Sequence, residues 1–386
     1  MRPALIAAVL GFGAAVALST VEVWRVDQGD PVGPFLVAQQ RMTAPGFRPD
    51  ARAGRGNGYD GQFSLLLALH LVTGEDLAAG LDLPRYRARR IALPAMSAVL
   101  AAFRAGAVPL AYLLLNALLV ALGTGAMASF AVERGHSAAW SALVVLNCGT
   151  LVSLWRATVD AGMCSLLLIA VLAASRQRWR TAAVTLAAAI LAKEVAILAA
   201  PCLFLAARGD RRARLWIVAA AVVPAVWWIA VASMFPPDPA ATVAASFSLP
   251  FAGFEQSALA SLQQVKPLTH TLKDLFLLSL YLLAVLIGLG CGWVALRERS
   301  AGPGGKAAAL GAGAFALLGA FCSSAVWVEV WSYARVLLPL TLLLLMVALD
   351  RPVLGRFRTW PCLIPPGLAA MGGALFVAHL VATGTP

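Results

Sequence analysis

Five stretches of this sequence place acids and bases where they could do chemistry. The first is Gly58-Tyr59-Asp60-Gly61-Gln62-Phe63, a carboxylate in a glycine-flanked turn ahead of the apolar run LLLALH. Glycine lets backbone come close to a ligand, and a fixed aspartate can take a proton from a hydroxyl as a general base. The competing reading of Asp60 is structural, as the N-cap of a helix beginning at Gln62. The second stretch is the turn holding Arg156 and Asp160, where Asp160 either joins Asp60 in one cavity or serves as a helix cap or local partner of Arg156. Lys193 and Glu194 interrupt a long apolar run, Tyr333 and Arg335 follow Glu329 and Trp331, and LPRYRARR supplies Arg85, Arg87, Arg89 and Arg90.

These residue types suit a reaction that moves a proton and releases an anion. Arginine grips phosphate oxygens through two N–H groups, whereas lysine offers a point charge. Asp60 and Asp160 are therefore the candidate catalytic carboxylates, with the capping and ion-pair readings open beside them. Tyr59, Gln62, Arg89, Arg90, Lys193, Glu194, Tyr333 and Arg335 are the expected substrate contacts. For the arginine run the alternative is headgroup anchoring by snorkelling side chains. For Lys193 it is a structural ion pair with Glu194 or Asp160, although ionisable groups at membrane depth are costly and tend to mark function. A divalent metal could bridge Asp60 and Asp160, but no spacing requires a cofactor.

Other chemistries lack their residues. The six cysteines, Cys148, Cys164, Cys202, Cys291, Cys322 and Cys362, show no CxxC spacing and sit in or beside apolar runs, so neither a disulfide framework nor a zinc site is indicated. The four histidines form no HExxH or HxH pattern, and neither a P-loop nor a dinucleotide fingerprint is present.

The elements that must position the charged stretches are apolar. The chain has 386 residues, 61% of them hydrophobic and 12% charged, with a mean hydropathy of +0.82. A water-soluble domain normally carries about 25% charged residues, so the fold class is an all-α, polytopic transmembrane helical bundle forming one integral membrane domain over 1–386. Segments able to span about 30 Å of hydrocarbon run from Leu5 to Thr20, Ala107 to Val132, Ala138 to Trp155, Thr158 to Ser175 and Leu215 to Phe235, then Leu275 to Leu296, Ala307 to Val328, Tyr333 to Leu349 and Trp360 to Ala382. The first could instead be a signal peptide.

Thr181 to Ala207 is too long for one crossing. Arginine clusters flank it on both sides, Arg176, Arg178 and Arg180 before it and Arg208, Arg211, Arg212 and Arg214 after it. Because basic loops stay in the cytoplasm, the stretch is read as a re-entrant hairpin or two short half-crossings, with Lys193 and Glu194 at its tip. That gives eleven crossings, with the N-terminus inside and the C-terminus outside. The cytoplasmic pieces then hold 15 of the 30 Lys and Arg but 4 of the 18 Asp and Glu. The net charge of +12 thus becomes cytoplasmic anchoring, and no soluble basic module remains to bind nucleic acid. Outside lie two long loops, 21–106 with interfacial helices and 236–273.

Read together and in order, GDPVGPF, GYDGQF with LLLALH, YRARRIALP, the turn holding Asp160, ILAKEVAIL and WSYARVLLP resemble a bacterial family of multispanning glycosyltransferase-like proteins. That family is similar to the GT-C superfamily and is associated with building cell-surface glycopolymers. The resemblance runs from Gly29 to Leu340. It departs after YDGQF, where Ser64, Leu65 and Leu66 replace an expected aromatic pair and basic residue, and at His70 and Leu71, which replace an Asp-Pro.

The resemblance implies transfer of a sugar from a polyprenyl-phosphate-linked donor to a glycan or lipid-linked acceptor, with inversion, at the outer face of the bacterial inner membrane. Asp60 would then be the base, Asp160 and Glu194 supporting polar groups, and Lys193, Arg335 and Arg89 or Arg90 the contacts to phosphate. The expected partners are that donor, that acceptor and membrane lipids. Two rival readings stand beside this one. They are a transporter or flippase of a lipid-linked sugar, and a non-catalytic assembly protein.

Overall fold

A chain in a bilayer must close its own backbone hydrogen bonds, and helices do so within one segment. The computed structural model describes residues 2–21, 60–74, 81–239, 246–263, 268–298, 301–327, 330–350 and 360–383, with residues 23 and 35. Over these residues the fold is helical, and its β-structure is one isolated antiparallel bridge between Phe247 and Cys322. Much of the expected first outer loop, including Tyr59, lies outside the described residues, as does Glu329.

In chain order, α1 (Arg2–Val21) is followed by three short helices, α2 (Gly61–Thr73), α3 (Pro84–Ala88) and α4 (Ala92–Leu100). The long α5 (Val108–Glu133) leads to α6 (Ala142–Val145) and α7 (Cys148–Trp155), then α8 (Asp160–Ser175) and α9 (Trp179–Ala192). A 3-10 turn, Glu194–Leu198, precedes α10 (Ala199–Ala206), and α11 (Arg211–Met234) follows. The remainder comprises α12 (Ala252–Gln263), α13 (Leu268–Arg297), α14 (Pro303–Phe321), α15 (Ser324–Trp327), α16 (Val330–Val336), α17 (Leu338–Leu349) and α18 (Ile364–Thr383). Among the described residues six helices are long and apolar enough to cross a membrane, and the α6–α7 pair makes a seventh if its two bent pieces form one span. The protein is an all-α, polytopic membrane bundle.

Each expected crossing has a helical counterpart, but several differ from the sequence reading. The Ala138 to Trp155 segment bends by 50°. Its break falls at Asn147, whose side chain accepts from Gly149 N at 3.0 Å and caps α7. Asparagine is a strong N-cap because its oxygen satisfies an orphan backbone donor. The segment expected to reach Val328 ends at Phe321, where Cys322 turns extended and bridges to Phe247. The segment expected from Tyr333 begins at Val330 and breaks at Leu337, ahead of Pro339, so α16 and α17 are separate pieces. Proline lacks the N–H that an interior helical turn needs, and Pro339 accordingly sits in the first turn of α17.

The hairpin reading has a clear local cause. Lys193 adopts extended backbone, φ −156° and ψ 127°, and ends α9. The chain then returns, so that the start of α9 and the start of α11 line one cleft through Arg178, Arg180, Arg212 and Trp216. Other charged pieces assigned to one face gather at that same end. Arg176 Nε donates to Glu133 Oε1 at 2.7 Å, Arg134 pairs with Asp350 at 3.1 Å, and Lys306 Nζ donates to the Glu298 carbonyl at 3.0 Å. From that end α8 alone, 16 residues long, carries the chain about 24 Å to Asp160.

Candidate active site

Two glycines let the site assemble. A side chain on Gly61 would run into the carbonyl oxygens of Arg156 and Ala157, so the start of α2 rests directly on the turn between α7 and α8. This contact brings Asp60 beside Asp160. Ala157 in that turn has φ 48°, a left-handed conformation that is uncommon without glycine. Gly149 in α7 likewise lies against the carbonyl of Ala334, which seats α16 and carries Arg335 to the same place.

Arg335 occupies the space between the two carboxylates. Its Nη1 is 3.5 Å from Asp60 Oδ2 and 3.4 Å from Asp160 Oδ2. Lys193 Nζ donates to Asp160 Oδ1, and Thr158 Oγ1 donates to Asp160 Oδ2 at 2.9 Å. Arg87 Nη1 donates to Asp60 Oδ1 at 3.1 Å, lies over the Phe63 ring at 3.9 Å, and is held from behind by both oxygens of Asp82. Asp160 is buried, whereas 40% of the Asp60 side chain remains open. Asp60 therefore presents the accessible carboxylate of the pair.

Asp60 stands at the N-cap position of α2 but makes no side-chain cap bond, because its oxygens face the arginines instead. Arg156 lies over the Trp155 ring, and Asp160 takes Lys193, Thr158 and Arg335 as partners. Of the two acids considered for Lys193, the structure pairs it with Asp160.

Glu194 has different company from that expected. Arg90 donates to it with two nitrogens, Nε at 2.8 Å and Nη2 at 2.7 Å, and the Tyr86 hydroxyl donates to it at 2.8 Å. Arg90 also contacts the Tyr86 hydroxyl. Arg90 and Glu194 thus clamp α3 to the hairpin tip, next to the lysine that holds Asp160. The far side of α3 is fixed by Trp227 Nε1 donating to the Ala88 carbonyl at 3.0 Å and by Tyr86 N donating to Asp238 at 2.7 Å.

Of the remaining expected contacts, Gln62 is buried in the first turn of α2, and Arg89 lies 5.9 Å from the Trp228 ring and forms no ion pair among the described residues. Tyr333 turns away from the cluster. It joins an aromatic stack with Tyr281 at 5.0 Å and Trp327 at 5.6 Å. Residues two apart on a helix point about 200° apart, so Tyr333 and Arg335 cannot share a face. Tyr86 was not among the expected contacts, and Arg87 stood in the arginine run without an assigned contact. For Tyr86 the signal was present as Tyr86-x-x-x-Arg90, an i, i+4 pair whose side chains meet on one helix face.

The electrostatics favour an ionised Asp60. Burial acts to raise the Asp60 pKa, but Arg335, Arg87, Arg90 and Lys193 outweigh it and hold the group below the ordinary value of 3.8. Among the described residues no group of three or more His, Cys, Asp or Glu side chains is placed to hold a metal ion. A cation bridging Asp60 and Asp160 would have to displace the Arg335 guanidinium.

No family model and no curated protein matches the chain. Among solved structures the chain is similar to the crystal structure of ArnT from Cupriavidus metallidurans bound to undecaprenyl phosphate, at 15% identity and a TM-score of 0.49. The match covers 96% of this chain, which spans 63% of the length of that one.

Proposed function

We propose that the protein is a membrane glycosyltransferase that moves a sugar from a polyprenyl-phosphate-linked donor to a hydroxyl of a cell-envelope acceptor. The carrying observation is the placement of one open carboxylate, Asp60, against a set of cations at one end of the bundle. The ordered motifs that resemble GT-C-like proteins supply the reaction class. The site end of the bundle is taken as the outer face because the arginine-rich pieces gather at the other.

In this mechanism Asp60 accepts the proton of the acceptor hydroxyl, whose oxygen attacks the anomeric carbon. The bond from that carbon to the phosphate oxygen breaks, and its electron pair leaves with the phosphate. Attack opposite the leaving group inverts the anomeric centre. Lys193, Arg335 and Arg89 stabilise the departing anion, which fixed cations in a water-poor site do most effectively. Asp160 positions Lys193 and Arg335, and the Arg90–Glu194 clamp fixes the hairpin tip.

A transporter would need a polar route through the bundle. Instead, the α8 segment between the two ends, from Leu166 to Ala174, is largely buried and apolar. The test is incubation of purified protein with polyprenyl-phosphate sugars and a glycan acceptor. Transfer of sugar to the acceptor supports the enzyme, whereas movement of intact donor across proteoliposomes without transfer supports the transporter.

A further inference from the structure

The two arginine clusters that flank the hairpin converge. Because α9 and α10 form an out-and-back pair, Arg178 and Arg180 come to line the same open cleft as Arg212, with a volume of about 450 Å³. Trp179 and Trp216 line it too, and the Arg180 guanidinium lies 5.2 Å from the centre of the Trp216 ring. The acid in the cleft, Asp210, is already engaged, since its side chain accepts from Ala213 N at 2.9 Å and caps α11. Arg178, Arg180 and Arg212 are exposed and form no ion pair among the described residues. Three cations against one committed carboxylate leave an excess of two positive charges.

Exposed apolar side chains lead away from the cleft on both of its helices. On α11 Val223, 54% exposed, lies two turns beyond Trp216 on the same helix face, and on α9 Val184, 70% exposed, lies one turn beyond Arg180. Leu215, Val218, Val222 and Val226, which are 63%, 48%, 50% and 61% exposed, form a further apolar row on the adjoining face of α11. A basic pocket between membrane helices, with indoles at its wall and an apolar stripe leading away, suits a lipid whose phosphates sit among the arginines and whose acyl chains follow the stripe.

We infer that this cleft is a specific binding site for a phospholipid carrying two phosphate groups, of the diphosphatidylglycerol type, at the end of the bundle opposite Asp60. An acidic protein would have no use for the apolar track. Non-specific anchoring would not gather arginines from two distant clusters around one hollow.

The test is native mass spectrometry of the detergent-solubilised full chain, titrated with diphosphatidylglycerol, phosphatidylglycerol, phosphatidylethanolamine and inorganic pyrophosphate. Wild type is expected to retain diphosphatidylglycerol at least about ten-fold more tightly than the singly charged lipid, with no competition from pyrophosphate. The double variant Arg180→Ala, Arg212→Ala should bind it roughly thirty-fold more weakly, at about 1 kcal/mol for each arginine. Arg297→Ala, which alters an arginine stacked at 4.1 Å on Trp293 elsewhere on that end, should leave binding unchanged. Equal binding by the double variant overturns the inference. So does an equal loss in Arg297→Ala, which marks general anchoring, and so does effective competition by pyrophosphate, which marks a site for soluble anions.

Discussion

Arg90 and Glu194, 104 residues apart in the chain, meet through two hydrogen bonds of 2.8 and 2.7 Å. The pair joins a five-residue helix to the tip of a membrane hairpin, and the tip carries the lysine that holds Asp160. Both side chains are largely shielded, at 9% and 19% exposure. Removing one partner of such a pair leaves an uncompensated charge and costs about 3 kcal/mol or more. Glu194→Ala should therefore lower the melting temperature of the purified protein clearly. Replacing both residues, Arg90→Met with Glu194→Leu, should recover stability but not transfer, because the hairpin tip loses its register.

Gly61 offers a finer probe of position. Alanine there must push α2 away from the carbonyls of Arg156 and Ala157, carrying Asp60 away from the cations. Misplacing a reacting group by about 1 Å can cost on the order of a hundred-fold in rate. Gly61→Ala should thus reduce kcat by ten-fold or more while donor binding, measured by equilibrium titration, changes little. An unchanged kcat would show that the Gly61 contact does not set the geometry of the base.

The pH behaviour follows from the sign of the Asp60 shift. Its folded-state pKa lies below the unfolded value, since the cations outweigh burial. Its contribution to stability is then fully present above about pH 4 and is lost as pH falls through the folded value. Thermal unfolding between pH 3 and 7 should show a smaller acid-side change in Asp60→Asn than in wild type. In Arg335→Gln the largest opposing cation is gone, so the acid limb of kcat/KM should move to higher pH.

Cysteine labelling tests the topology. Asp60→Cys and Arg211→Cys should react with a membrane-impermeant reagent from opposite sides of sealed vesicles. Labelling of both from one side would contradict the hairpin.

Much of the fold was legible because apolar length speaks directly for a membrane helix. The hairpin was legible because arginines bracket Thr181–Ala207 on both sides, a pattern that a single crossing cannot satisfy. The broken crossings at Asn147 and Leu337 were not, since a capping side chain or a proline inside an apolar run changes hydropathy little. At the site, residue type pointed to Asp60, Asp160, Lys193 and Arg335, and the structure brings these four together. It could not say which arginine of LPRYRARR pairs with which acid. That choice depends on the rotation of a five-residue helix, set by Trp227 and Asp238 from more than a hundred residues away.

The central claim is that Asp60 is the base that activates the acceptor. The most direct measurement compares wild type with Asp60→Asn in a purified transfer assay, with donor binding titrated on the same samples. Asparagine keeps the shape but cannot accept the proton, so the account predicts near-normal donor binding with transfer reduced by at least about a hundred-fold. Transfer at the wild-type rate by a donor-binding Asp60→Asn protein would contradict it.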